Sequence, residues 1–266
     1  ADYTFNVAYS GAGVASLLWV VAWLKLYDPP ERHPRVSSGE RLLIRDGQAA
    51  SLAGTRSRAT IRALLRQRNL WGIALPRMLA DPVWGMLSFW MPLYLARERG
   101  FDLADIAMVA WLPFIAADLG CLFGPAVVSW LQRRGVGLIE ARKAAFAVGA
   151  VMMTGMATMG WASHPYAMIG LLCLAGFAHQ TLSVTVITMA SDLFHRDEVA
   201  TAAGLAGMAA NFGVAIFSLS LGSLVDKVGF GPFFLALGVL DLVAAALLWW
   251  LVRSPTAPAE LLPAKA

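Results

Sequence analysis

Apolar runs of membrane-crossing length dominate the chain, and short polar links rich in arginine separate them. Crossing about 30 Å of hydrocarbon takes roughly twenty predominantly apolar residues in a helix. Seven such spans are predicted, at 7–26, 70–95, 103–130, 142–163, 165–190, 199–225 and 231–252. The second is unusual. WGIALPRMLADPVWGMLSFWMPLYL, Trp71 to Leu95, is long enough to cross, yet its first half carries Arg77, Asp81 and two prolines. On a helix Arg77, Asp81, Trp84 and Ser88 fall on one face. A charge at mid-membrane costs about 2.5–3.5 kcal/mol even on the lenient insertion scale, so an intramembrane Arg is read as functional by default. Two uses are open: an ion pair that neutralises itself between helices, or, the preferred reading, a site for an anionic ligand.

The other spans carry their own polar residues. The third holds Trp111, Pro113 and Asp118, then Gly120 and Gly124 at the spacing that lets a neighbouring helix approach closely. Asp118 serves as a partner for a basic group, a proton-carrying acid or an interhelical hydrogen bond. The fifth span is the most polar, with His179, Gln180, Thr181, Ser183, Thr185, Thr188, Ser191 and Asp192. Isolated hydroxyls in membrane helices usually bond their own backbone, but His179 beside Gln180 at this density points to an aqueous cavity. In the sixth, Asn211 sits among Ala203, Gly204, Gly207, Ala210 and Gly213, suited to a hydroxyl-bearing ligand on a close-packing surface. Asp241 stands alone among apolar residues in the last span, with no role assigned.

Charge in the links sets the predicted orientation. The 28–69 link carries Arg32, Arg35, Arg41, Arg45, Arg56, Arg58, Arg62, Arg66 and Arg68, and the link after the third span has Arg133, Arg134, Arg142 and Lys143. Alternate links are poorer, which places the N-terminus outside and the tail with Arg253 and Lys265 in the cytoplasm. Within 28–69, the stretch RSRATIRALLRQRN puts Ile61, Leu64 and Leu65 on one stripe, expected as a short helix on the inner membrane surface.

Composition agrees with an all-α membrane protein. Hydrophobic residues make up 58% of the 266 and charged ones only 14%, with mean hydropathy +0.63. The net charge of +4 lies in the links rather than on a soluble domain, so nucleic acid is not an expected partner. Cys121 and Cys173 both lie within apolar spans and read as packing residues, not a disulfide or metal pair. No metal or cofactor motif stands in a plausible context, and no cofactor is expected. A retinal protein needs a Lys in the last span, which has none. A membrane-embedded enzyme built on His179 with Asp192 or Asp118 is the remaining alternative, with no nucleophile–base spacing to support it. The chain begins at Ala1, without an initiator Met or a signal-peptide pattern, and reads as a fragment.

Several stretches resemble the C-terminal half of major facilitator superfamily transporters of the anion:cation symporter family, and hexuronate transporters most of all. They are PRMLADPVWGMLSFWMPLYLARERGF (76–101), AWLPFIAADLG (110–120), the AHQ..S pattern at 178–183, SDLF (191–194) and EVATAAGLAGMAANFG (198–213). The resemblance implies that the seven spans are helices 6–12 of a twelve-helix fold. Residues 1–27 would be the sixth helix, 28–69 the cytoplasmic link between halves, 70–252 a six-helix domain and 253–266 a cytoplasmic tail. It implies proton-coupled symport of a hexuronate or another organic anion such as an aldonate, across a bacterial inner membrane, by alternating access. The N-terminal half would be absent. The site implied is Arg77, Gln180, Ser183, Thr185 and Asn211, to which the residues themselves add Trp84 and His179; Asp81 and Asp118 are candidate charge partners or coupling acids. The superfamily's basic loop motif is matched by Gly124 and Arg133-Arg134-Gly135, with Ser129 in place of its acid.

Overall fold

A computed structural model describes residues 2–29, 32–42 and 61–254. The chain divides into two units, Ala1–Thr55 and Arg56–Ala266. In the first, helix α1 (Asp2–Leu26) carries an aromatic ladder: Trp19 and Trp23 lie 6.5 Å apart and Trp23 stacks on Tyr27 at 4.5 Å. The second opens with a single turn, Ile61–Leu64. The amphipathic helix expected over 56–69 is thus one turn long among the described residues. Only Leu64 enters the core, while Ile61 and Leu65 stay exposed. Most of the rest of that arginine-rich link, and the tail beyond Ser254, lies outside the described residues.

The predicted span 70–95 becomes a broken rod: α2 (Arg68–Ala80), α3 (Pro82–Gly85), a π turn (Met86–Trp90) and α4 (Met91–Arg99). Its breaks follow from proline. Pro82 has no N–H to give the carbonyl of Met78, so the ladder opens at Asp81. The π turn comes just before Pro92, which likewise leaves the Ser88 carbonyl without its usual donor. From Arg68 to Arg99, at 1.5 Å per residue, the rod still spans about 48 Å.

Beyond it run α5 (Leu103–Val109), α6 (Leu112–Arg133), α7 (Leu138–Met153, continued as a 3-10 helix over Thr154–Trp161), α8 (Pro165–Leu193), α9 (Arg196–Val228) and α10 (Gly231–Leu251). Six described helices are long and apolar enough to cross a membrane, α1 among them. The predicted span 70–95, the broken rod, is not among the six. The third span also divides, at Ala110–Trp111 before Pro113. Helix α7 begins four residues earlier than expected. Arg142, placed in the link by sequence, pairs with Asp192 of α8, and Lys143 pairs with Glu140 at 3.0 Å under the ring of Trp249.

Glycine decides how closely these helices approach. A Cβ on Gly120 would stand 2.2 Å from the carbonyl oxygen of Phe177, and one on Gly176 would stand 2.3 Å from that of Pro113, so α6 and α8 touch backbone to backbone. Gly124 meets the carbonyl of Thr181 at 2.7 Å in the same way. On the other side a Cβ at Gly213 of α9 would lie 1.8 Å from the Met78 oxygen, the carbonyl that Pro82 leaves free. Gly213→Ala is therefore expected to push α9 off the rod and cost about 1–3 kcal/mol, the usual overpacking penalty. A lowered melting temperature of the detergent-solubilised protein checks this; an unchanged one would mean that α9 does not seat on the break.

Candidate functional site

Among the described residues the core of the second unit is two large apolar clusters and a small one around Val128, Ala141 and Ala145, and four elements pass from one large cluster to the other at a polar residue. The rod leaves the first cluster at Ala80 and enters the second at Val83, with Asp81 between. Helix α8 changes between Leu182 and Ala178, bracketing His179; α9 between Ala206 and Phe217, bracketing Asn211; α10 between Ala244 and Leu237, bracketing Asp241. The polar residues scattered through the sequence thus share one level. That level crosses the rod at Asp81, between α2 and α3.

At the break, Nη2 of Arg77 donates to Oδ2 of Asp81 at 3.2 Å, with the two side chains 16% and 15% exposed. The pair leaves capacity unused. Nε of Arg77 and Oδ1 of Asp81 are buried without partners. Gly207 of α9 faces the guanidinium, and a Cβ there would meet Nη1 in ordinary contact at 3.7 Å. One helical turn on, the Asn211 amide donates to the Gly207 carbonyl at 2.9 Å and keeps its oxygen open on the exposed face.

Trp84, one turn beyond Asp81, stacks on the His179 ring at 5.8 Å and meets Phe114 edge-on at 5.4 Å. His179 is 2% exposed and its Nδ1 has no partner. The structure therefore gathers Arg77, Asp81, Trp84 and His179 around the break, with Gly207 and Asn211 alongside.

The remaining predicted residues lie apart from that centre. Gln180 is half-buried and donates to the Cys121 sulfur at 3.5 Å; Cys121 and Cys173 are both free. Ser183 is buried. Thr185 donates to the Thr181 carbonyl at 2.7 Å, and its oxygen lies 3.2 Å from where a Cβ of Gly124 would be. Its hydroxyl is thus committed to the α6–α8 seam. Asp118 is exposed on α6 and has no hydrogen bond or ion pair among the described residues. Residue reading assigned nothing to Asp241, which is 0% exposed with both oxygens unpartnered and lies within reach of the charge of Asp81. Its signal in the sequence was only that it is an acid in the middle of an apolar span. No group of His, Cys, Asp and Glu among the described residues is arranged to hold a metal ion. In the loop motif, Arg134 lies 4.0 Å over the Trp130 ring, and Gly135 takes the left-handed conformation (φ +85°) that ends α6.

The described residues thus form a bundle of long apolar helices with a charged centre between two of its apolar clusters. Similarity to known proteins makes this specific. The Major Facilitator Superfamily profile matches residues 1–141 and 136–266, and the chain belongs to that superfamily. It is 42% identical over 257 residues to the hexuronate transporter of Escherichia coli (strain K12), covering 96% of this chain and 60% of that protein. It is 39% identical over 181 residues to the galacturonate transporter of Dickeya chrysanthemi, covering 67% of this chain and 52% of the relative. The D-galactonate transporter of Escherichia coli O6:H1 is 27% identical over 242 residues, covering 88% and 56% respectively. The chain thus spans about 60% or less of the length of these relatives.

Proposed function

We propose that the chain is part of a secondary transporter of sugar acids, hexuronates first among them, working by alternating access and not as an enzyme. The observation that carries this is the unused donor capacity of Arg77 beside the helix break. A guanidinium presents five N–H donors in a fixed fork, and Asp81 takes one. A sugar-acid carboxylate fits the remaining edge with two parallel hydrogen bonds, and Asp81 holds the guanidinium in place between cycles. Trp84 offers a ring face to the sugar, and Asn211 offers its amide oxygen to a hydroxyl. Thr185 is spent on the α6–α8 seam, and Asp118, exposed on α6, is a candidate charge partner for a basic group on the other half of the transporter.

Similarity to a hexuronate and a galacturonate transporter supports the substrate class. Because the chain covers 60% of the first of these, the six-helix unit over 70–252 is one wall of the cavity, and the first half of a full-length transporter supplies the other. Residues 28–69 are then the cytoplasmic link, α1 a transmembrane helix that begins outside, and 253–266 a cytoplasmic tail in a bacterial inner membrane. Proton-coupled symport is the expected driving mode.

The test is counterflow of labelled glucuronate in proteoliposomes holding a full-length transporter that contains this chain. Galacturonate is expected to compete, an aldonate less so, and the neutral parent hexose hardly at all. Equal competition by the neutral hexose would overturn the carboxylate assignment. Stronger competition by the aldonate would move the substrate class to aldonates.

A further inference from the structure

Asp241 is the central residue of α10, a 21-residue helix, and so stands roughly 15 Å from either end. No other charged residue occurs on that helix. Its side chain is completely buried, and neither carboxylate oxygen has a donor or a cation within reach. Buried polar groups are normally paired, and acids inside membranes are costly enough to mark ion pathways or proton relays.

The surroundings restrict what can pair with it. Leu237, Ala244, Ala245 and Leu248 share its face and are buried. One turn before it, a Cβ on Gly238 would lie 2.9 Å from the backbone of Ala157, so the helix is seated too closely for a hydrated ion. From Ala144 to Trp161 the neighbouring α7 and its 3-10 extension carry no charged residue; Lys143 is two turns away over Trp249. Helix α9 has no charged residue between Glu198 and Asp226. The rod brings Arg77 and Asp81, and α8 brings His179, which lies within the field of both. Asp81 also acts on Asp241 through its charge, and their neighbours Pro82 and Leu240 line one apolar cavity of about 330 Å³ between the rod, α9 and α10.

We propose that Asp241 is a proton-binding acid of the transport cycle, linked through Asp81 to the carboxylate site at Arg77. The ligand a partnerless buried carboxylate lacks is a cation, and a proton needs neither a cavity nor further oxygen ligands. The step is an association: H⁺ joins one Asp241 oxygen to give the carboxylic acid and leaves from that oxygen when the cavity opens to the other side. A proton on Asp241 and a substrate carboxylate on Arg77 offset each other's charge, so binding of either favours the other. This rests on the transport reading above and puts a coupling group in the last helix.

The experiment compares Asp241→Asn with the parent in proteoliposomes holding a full-length transporter that contains this chain, using labelled glucuronate. Under an imposed pH gradient the parent accumulates substrate; the variant is expected to lose accumulation while keeping counterflow, which needs no net proton movement. Equal accumulation by both proteins overturns the proposal. So does loss of counterflow and accumulation together in a folded Asp241→Asn protein, which would mark a general structural role. Accumulation by the parent that follows a sodium gradient and ignores pH also overturns it. A parent that moves no uronate at all overturns the transport reading itself. If Asp241→Asn does not fold, Asp241→Glu decides: a shifted pH profile of accumulation supports the proposal, and an unchanged profile overturns it.

Discussion

Arg77→Lys in a full-length transporter containing this chain is expected to weaken uronate uptake by about 10–100-fold, mostly through KM. Hydrogen bonds to charged groups contribute about 1.5–3 kcal/mol, and each 1.4 kcal/mol is a factor of ten. Lysine keeps the positive charge but replaces a planar fork with a single ammonium, so it cannot hold a carboxylate with two parallel bonds while also reaching Asp81. The fold should survive, because the positive charge beside Asp81 remains. Concentration-dependent uptake of labelled glucuronate measures the effect. An unchanged KM would remove Arg77 from the substrate site and leave the pair as a structural neutralisation of two charges.

Asp81→Ala should do the opposite, damaging stability before it damages binding. Removing one partner of a buried pair leaves an uncompensated charge and costs about 3–5 kcal/mol. The low end is expected, since both side chains keep some exposure at 16% and 15%. Thermal unfolding in detergent reads this, and the double variant Arg77→Leu with Asp81→Leu supplies the contrast. That variant should recover most of the lost stability and no transport, because a matched apolar pair needs no compensation but offers the substrate nothing. If Asp81→Ala melts like the parent, water already compensates Arg77 and the pair adds little to the fold.

The legible part of this protein was its spans. Runs of apolar residues punctuated by Gly, Pro and Arg gave helix positions within a few residues, because hydrocarbon forces the backbone to satisfy itself by helix formation. The sequence shows 70–95 as a single span with a charged, proline-bearing first half; that Pro82 opens the ladder beside the Arg77–Asp81 pair is visible only in the folded chain. The hydroxyl-rich fifth span was harder to read. Thr181, Thr185 and Thr188 all bond carbonyls of their own helix, so a polar run that looked like cavity lining is partly a seam against Gly120 and Gly124. Residue type alone does not say whether a hydroxyl faces a ligand or a neighbouring backbone. Around Ile61 and Leu65 the described residues hold one turn, and Leu64 lies in the bundle core rather than on a surface stripe.

By itself the sequence determined that the chain is helical, membrane-embedded and charged at one point of its second span. Those properties follow from local composition and from the cost of an exposed backbone in lipid. Tertiary structure alone decided that Asp81, His179, Asn211 and Asp241, drawn from four separate elements, lie at one level between two apolar clusters. It also decided which of them have partners. Level and pairing depend on how far each helix slides along its neighbours, and that is set by close approaches such as Gly213 on Met78 and Gly238 on Ala157. No local pattern records those distances.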